Sequence, residues 1–242
     1  MTPRALEALE RSDVIVGYKA YIDLLVSRFG HKKIISSAMK QEIERCRHAA
    51  ELALAGNNVA LVSGGDAGVY GMAGPMLEVL DTFEAQYDHD KNLEVEIIPG
   101  ITSACSAAAV LGAPLTHDFA VVSLSDLLTP WEQIEKRLAL AAEADFVICL
   151  YNPASRNRKD YLKKACEAVM TARNGATPSG WVRNAGRSGQ AHKILPLSEL
   201  KDEELDMFCT VVIGNSETRI LEDRMVTPRG YKMGNLINPI LK

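Results

Sequence analysis

What this 242-residue chain lacks narrows its class before any motif is read. Its five cysteines, Cys46, Cys105, Cys149, Cys166 and Cys209, are scattered, odd in number and never spaced C-x-x-C. Neither a disulfide framework nor a metal site follows from them. Cys149 and Cys209 stand in apolar runs and are expected as small core residues. No stretch approaches about 18 consecutive apolar residues, and the start has no apolar signal-peptide region. A soluble protein of a reducing cytoplasm, with no membrane partner, is the simplest reading. Positive charge has no excess, since 27 Lys and Arg stand against 31 Asp and Glu for a net charge of −4. No nucleic-acid footprint is expected, and a local basic cleft for an acidic substrate remains compatible with that balance. The chain also lacks G-x-S-x-G, H-E-x-x-H, G-x-G-x-x-G and a phosphate loop ending in Gly-Lys-Ser/Thr.

What is present is an α/β pattern. With 47% hydrophobic residues, the chain can bury one large or two small cores. Pro3 to Glu10 reads as a helix capped by Thr2, and Asp13 to Val16 as a short strand. Met39 to Ala55 places Ile43, Cys46, Ala50, Ala53 and Leu54 at helical spacing. The run Val59 to Val62 stops at Ser63 and opens into Gly64-Gly65-Asp66, with further glycines at Gly68, Gly71 and Gly74. A strand, a glycine-rich turn and a helix form the local unit on which α/β proteins hold small ligands. The same glycines also serve a tight turn that holds nothing. Val69 to Tyr87 reads as mostly helix, Leu93 to Ile98 as a strand, and Ser103 to Leu111 as an Ala-rich helix. Strands are expected again at 119–124, 145–151, 180–184, 209–213 and 226–231, with helices at 131–144 and 158–173. Such alternation predicts two α/β domains with mostly parallel sheets, 1–115 and 116–242.

Five strand ends carry polar or glycine-rich residues: 63–66, 99–103, 151–153, 183–187 and 214–216. In open parallel sheets ligands bind beyond the carboxyl ends of strands. Thr102 or Ser103 would cap the Ala-rich helix and leave its first N–H groups free for a carboxylate. For Asn152-Pro153 and Asn215-Ser216, turn chemistry is the competing explanation. His117-Asp118 places a histidine beside an acid in sequence, as a loop pair or an acid–base pair. Arg156, Arg158 and Lys159 form a cationic cluster after a strand end, either a solvated helix start or a receiver of carboxylates.

The strings GGDAGVYGMAG (64–74), PGITSACSAAAVLGAPLTHDF (99–119), SLSDLLTPW (123–131), ADFVICLYNPASR (144–156), VRNAGR (182–187) and TPRGY (227–231) resemble the precorrin-3B C(17)-methyltransferase family. This is a branch of the tetrapyrrole methylases in cobalamin biosynthesis. The resemblance implies a homodimer of two-domain chains, with S-adenosylmethionine in the cleft between domains and S-adenosylhomocysteine as product. It implies methylation of precorrin-3B, or its cobalt-bearing counterpart, at C-17 with ring contraction. Carried over by motif, Gly64, Gly65 and Asp66 would hold the methionine end and ribose. Thr102 and Ser103 would lie by the methionine carboxylate and amine. Asn152, Asn184, Ala185, Gly214 and Asn215 would surround the adenosine. His117, Asp118, Ser125 and Asp126 are the proton-transfer candidates, and Arg156, Arg158 and Arg187 the candidates for the substrate's carboxylate arms. No metal ligand is expected. Family members begin with a strand and a G-x-G-P-G-type loop ahead of the helix that here starts at Thr2. This sequence lacks both, so lower activity than that of a version carrying them is expected. The competing classes are a nicotinamide-dependent oxidoreductase, disfavoured by the missing G-x-G-x-x-G, and a non-catalytic binding protein of the same fold.

Overall fold

The computed structural model describes residues 1–84, 93–155 and 159–231, and the chain divides into two compact units, Met1–Thr102 and Ser103–Lys242. The first unit runs α1 (Pro3–Arg11), β1 (Val14–Tyr18), α2 (Lys19–Ile22), α3 (Val26–Phe29), β2 (Lys33–Ser37), α4 (Glu42–Leu54), β3 (Val59–Val62) and α5 (Ala73–Glu84). Thr2 caps α1 as its sequence predicts, its hydroxyl accepting from the Ala5 N–H at 3.2 Å. The three strands form a parallel sheet in the order β2-β1-β3. Alternation along β1 explains why it is buried throughout. Val14 and Val16 pack with Ala49 of α4 on one face, while Ile15 packs with Leu9 and Phe29 on the other. A strand covered on both faces reads as a continuous apolar run. Leu93 to Ile98, expected as a strand, joins no ladder, and Val95 and Ile97 stay 44% and 49% exposed.

The second unit runs α6 (Ser103–Leu111), β4 (Gly112–Ala113), β5 (Phe119–Ser123), α7 (Trp131–Glu143), β6 (Val147–Tyr151), α8 (Tyr161–Met170), β7 (Pro178–Arg183), β8 (Ala191–Pro196), α9 (Leu197–Leu200), β9 (Cys209–Ile213), β10 (Arg219–Leu221) and β11 (Arg224–Val226). Five strands form the main sheet in the order β5-β6-β9-β7-β8, and β10, β11 and β4 form a small one. Two buried clusters flank the main sheet. Ile148 and Leu150 face α7 and α8, while Val147 and Cys149 face the small residues of α6. Each such Leu or Ile contributes roughly 1.5–3 kcal/mol by burial. Burial pushes the Cys149 and Cys166 thiols up to about 12 and the Cys46 thiol up to about 11, so these cysteines are packing groups.

One expectation about the sheets needs correction. The main sheet of the second unit is mixed, not mostly parallel. Of its hydrogen-bonded pairs only β5 and β6 are parallel, whereas β9 is antiparallel to both β6 and β7, and β8 is antiparallel to β7. Apolar patterning does not encode strand direction, so the sequence leaves this open. The compact units divide at Thr102/Ser103, and the sequence reading places its domain division at 115/116. The reason is that α6 rests on β9 and β7, and Gly112–Ala113 pairs with β11, which ties both to the second sheet. Of the last expected strand, 226–231, only Val226 is in a strand, as the end of β11.

Candidate functional site

In the first unit the glycine-rich loop leaves the carboxyl end of β3 and meets the segment around Pro99–Gly100. Asp66 joins them. One carboxylate oxygen accepts from the Gly68 N–H at 2.8 Å and the other from the Gly100 N–H at 2.7 Å. These backbone donors, Gly100 first, hold the Asp66 carboxyl below its usual range. The side chain thus sets the loop geometry before it meets any ligand. Gly100 has no room for a side chain, because a Cβ there would lie 1.9 Å from the Gly65 carbonyl oxygen. Gly65 itself has φ +77°, a conformation that L side chains rarely adopt. Ser63 closes the loop from within, its hydroxyl accepting from the Met72 N–H at 3.0 Å.

Sequence reasoning missed Arg45. It is 4% exposed, on the first turn of α4, and has no carboxylate partner among the described residues. Its guanidinium donates to the Ser37 hydroxyl at 2.5 Å, the Ala38 carbonyl at 2.9 Å and the Met72 sulfur at 3.5 Å. It braces the end of the glycine-rich loop against the end of β2. A lone arginine within the apolar stripe of an amphipathic helix is the signal that would have marked it.

In the second unit strand direction sorts the remaining candidates. The carboxyl ends of β5, β6 and β7 lie together, beside the start of β9. Ser123, Ser125, Asp126, Asn152, Asn184, Ala185 and Arg187 belong to that end. Asn152, at φ +53°, donates from Nδ2 to the Ser123 hydroxyl at 2.9 Å, linking β6 to β5. Asn184 also takes a left-handed conformation, φ +52°, and opens the turn that leaves Arg187 exposed. Tyr151, in a strand end that the sequence marks but given no role of its own there, accepts through its hydroxyl from the Ala104 N–H of α6 at 2.7 Å. One of the helix N-terminal donors expected to be free for a carboxylate is therefore taken by protein.

The structure does not bring the other candidates to that end. Because β9 is antiparallel to β6, Gly214 and Asn215 lie beyond the opposite edge of the sheet. Asn215 is 5% exposed, and its Oδ1 accepts from the Glu217 N–H and the Thr218 hydroxyl, each at 3.1 Å. His117 and Asp118 precede β5 and so stand at this same far edge, where the Asp118 carbonyl accepts from the Val147 N–H. The four proton-transfer candidates are thus split into two pairs. At the far edge the buried Arg173 donates to the Ala142, Phe146 and Gly214 carbonyls and pairs with Asp145 at 2.8 Å. Burial works to raise the Asp145 carboxyl. Hydrogen bonds from Ser216 and the Arg173 charge outweigh it and hold the group below its usual range. Arg156 and Arg158 lie outside the described residues.

Among the described residues no cluster of His, Cys, Asp and Glu could hold a metal ion, and no helix is long and apolar enough to cross a membrane. The donor set fits S-adenosylmethionine in kind. Backbone amides and hydroxyls at the glycine-rich loop and at Thr102 and Ser103 suit an amino-acid end, and the strand-end asparagines suit a nucleoside.

Residues 1–201 match the family profile of the tetrapyrrole (corrin/porphyrin) methylases. A probable cobalt-factor III C(17)-methyltransferase of Salmonella typhimurium is 47% identical over 96% of this chain and 94% of its own length. A precorrin-3B C(17)-methyltransferase from a Sinorhizobium species is 41% identical over 96% of this chain and 91% of its own. The cobalt-factor III methyltransferase of Priestia megaterium is 44% identical, and this chain spans 44% of that longer protein. Among solved structures, the methyltransferase CobJ superposes with a TM-score of 0.87 at 35% identity, covering 94% of this chain and 93% of CobJ.

Proposed function

The chain belongs to the tetrapyrrole methylase family, and from that premise we propose that it transfers a methyl group from S-adenosylmethionine to C-17 of precorrin-3B or its cobalt-bearing counterpart, with ring contraction, in cobalamin biosynthesis. The observation that carries this reading is near-full-length identity of 47% and 41% to two relatives named for that C(17) methylation. Neither the nicotinamide-dependent oxidoreductase nor the non-catalytic binding protein has such support. The five free cysteines accord with a cytoplasmic enzyme, and the family resemblance supports a homodimer.

When bound, S-adenosylmethionine supplies a methyl made electrophilic by its sulfonium, and a carbon of the electron-rich macrocycle takes it. No protein nucleophile is required, so the chain's task is alignment and exclusion of water. Gly64, Gly65 and Asp66, with Thr102 and Ser103, hold the amino-acid end and ribose. In this role Asp66 acts chiefly by fixing the Gly68 and Gly100 amides. Asn152, Asn184 and Ala185 take the adenosine. Gly214 and Asn215 are left out of the set, since they lie at the other edge of the sheet. For proton traffic, Ser125 and Asp126 keep their candidacy and His117 and Asp118 do not. Arg187 remains a candidate for a carboxylate arm of the substrate.

The test is turnover of precorrin-3B and of its cobalt form with S-adenosylmethionine carrying a carbon-13 methyl, read by NMR on the product. Label at C-17 is expected. Label at another ring carbon would keep the family and reject the position, and an unlabelled macrocycle would reject the activity.

A further inference from the structure

The loop after β5 carries two leucines, Leu127 and Leu128, that the methyl-transfer reading does not use. Residues 124–130 connect β5 to α7, and Tyr161 of α8 fastens both ends of its outer part. At one end the Tyr161 hydroxyl donates to Asp126 Oδ2 at 2.6 Å. At the other the Tyr161 ring packs on Trp131, with centroids 4.6 Å apart. Lys164 caps the pair, its ammonium 5.2 Å from the Tyr161 ring and 5.8 Å from the Trp131 ring, and it is itself anchored to Asp160 at 2.7 Å. Between the fastened ends stand Leu127, 59% exposed, and Leu128, 94% exposed.

A single exposed leucine needs no explanation. Two adjacent ones on a loop held at both ends are different, because the fold orders them instead of letting them turn inward. Ordering in advance lowers the entropy cost of binding. The loop leaves the carboxyl end of β5, the edge that also carries Asn152, Asn184 and the exposed Arg187. Two leucines fall far short of the roughly 800 Å² per partner of a stable protein interface. They suffice as an apolar platform for one face of a small flat ligand, in a site where a few polar groups fix orientation.

We propose that Leu127 and Leu128 form a platform for the apolar face of a polycarboxylated tetrapyrrole, with Tyr161 as the residue that positions them. The inference rests on the tetrapyrrole reading above and deepens it. Tyr161 touches no reacting atom and acts through the loop. Its hydrogen bond to Asp126 raises the phenol above its ordinary value, so it stays a donor through neutral pH.

The experiment uses uroporphyrin, an air-stable tetrapyrrole carboxylate, titrated by fluorescence into the whole chain, with S-adenosylhomocysteine binding measured in parallel by calorimetry. The double variant Leu127→Ala/Leu128→Ala should weaken uroporphyrin at least tenfold, leave S-adenosylhomocysteine within twofold and keep the melting temperature. Leu128→Ile should restore most of the lost affinity, which a merely structural role would not require. Tyr161→Phe, which keeps the ring contact and loses the hydrogen bond, should weaken uroporphyrin about threefold and raise the substrate KM with kcat little changed. Equal uroporphyrin affinity in wild type and the double variant overturns the platform while leaving the tetrapyrrole reading intact. A wild-type chain that binds no uroporphyrin overturns both. A double variant that changes oligomeric state by light scattering but binds uroporphyrin normally assigns the leucines to a second copy of the chain and overturns the proposal.

Discussion

The two edges of the five-stranded sheet carry similar sequence and opposite roles. Asn152-Pro153 and Asn184-Ala185 at one edge look much like Gly214-Asn215 at the other. At the first edge both asparagines hold left-handed backbone and remain partly exposed, and Asn152 links β6 to β5. At the second, Asn215 is buried in a turn, and Arg173 satisfies three carbonyls and one carboxylate. One edge keeps polar groups at the surface and the other uses them to close the fold. The difference comes from the direction of β9 alone.

The largest effect should come from breaking the closed edge. Arg173→Met would leave three carbonyls without their donor and Asp145 without its cation. Each buried carbonyl left without its donor costs about 1–3 kcal/mol, and the 44%-exposed Asp145 side chain adds little. Urea denaturation should show that loss, while S-adenosylhomocysteine affinity of the folded fraction stays the same. A variant that unfolds no more easily would mean that the far edge is not a structural brace.

In the first unit, Gly100→Ala is expected to rank next. The added methyl meets backbone, not a flexible side chain, so the loop pair must separate. S-adenosylhomocysteine binding should weaken more than tenfold, with a stability loss on the order of 1–3 kcal/mol, as for other overpacked sites. Asp66→Ala releases the same contact from the other side and should cost about 1.5–3 kcal/mol of binding, the value of a charged hydrogen bond. The pH dependence follows from the sign of the shift. The Asp66 carboxyl is depressed in the fold, so its contribution is complete above the ordinary aspartate range and is lost as pH falls through the depressed value. Calorimetry in acid should therefore show wild-type affinity falling toward that of Asp66→Ala, while the variant stays flat.

The first unit shows how much of such a site the sequence displays. The glycine-rich loop was legible because a glycine such as Gly71, where a Cβ would lie 2.4 Å from the Ala67 carbonyl oxygen, tolerates nothing else, and because a strand, a turn and a helix leave a periodic trace. Thr2 capping α1 was legible for the same local reason. The Asp66 clamp was not, since its partner Gly100 lies 34 residues away. Strand order and direction in the second unit were likewise invisible, because an apolar run reads the same both ways. The Leu93–Ile98 segment shows the converse, with strand-like patterning but no pairing partner among the described residues.

Two substitutions put the edges in direct opposition. Asn152→Ala loses the Ser123 hydrogen bond and forces alanine into left-handed backbone. It should lower S-adenosylhomocysteine affinity about fivefold, for roughly 1 kcal/mol. Asn215→Ala should lower stability by about 1–2 kcal/mol and leave affinity alone. If calorimetry and urea denaturation gave the reverse pattern, the ligand edge would have been assigned to the wrong side.

The smallest expected effect is the most pointed test of strand direction. His117 is one of the four proton-transfer candidates of the sequence, a histidine beside an acid. In the fold its Nδ1 accepts from the Asp118 N–H at 2.8 Å, and both residues stand half or more exposed before β5. The length of β5, five residues at about 3.3 Å each, separates them from Ser125 and Asp126. A general acid or base must come within hydrogen-bond reach of the proton it moves. His117→Ala should therefore leave kcat within twofold of wild type and the pH–rate profile unmoved. Asp126→Asn, at the edge proposed to hold the ligand, should change one or both. A tenfold loss in His117→Ala with its fold intact would place the chemistry at the far edge and reverse the assignment of the two edges.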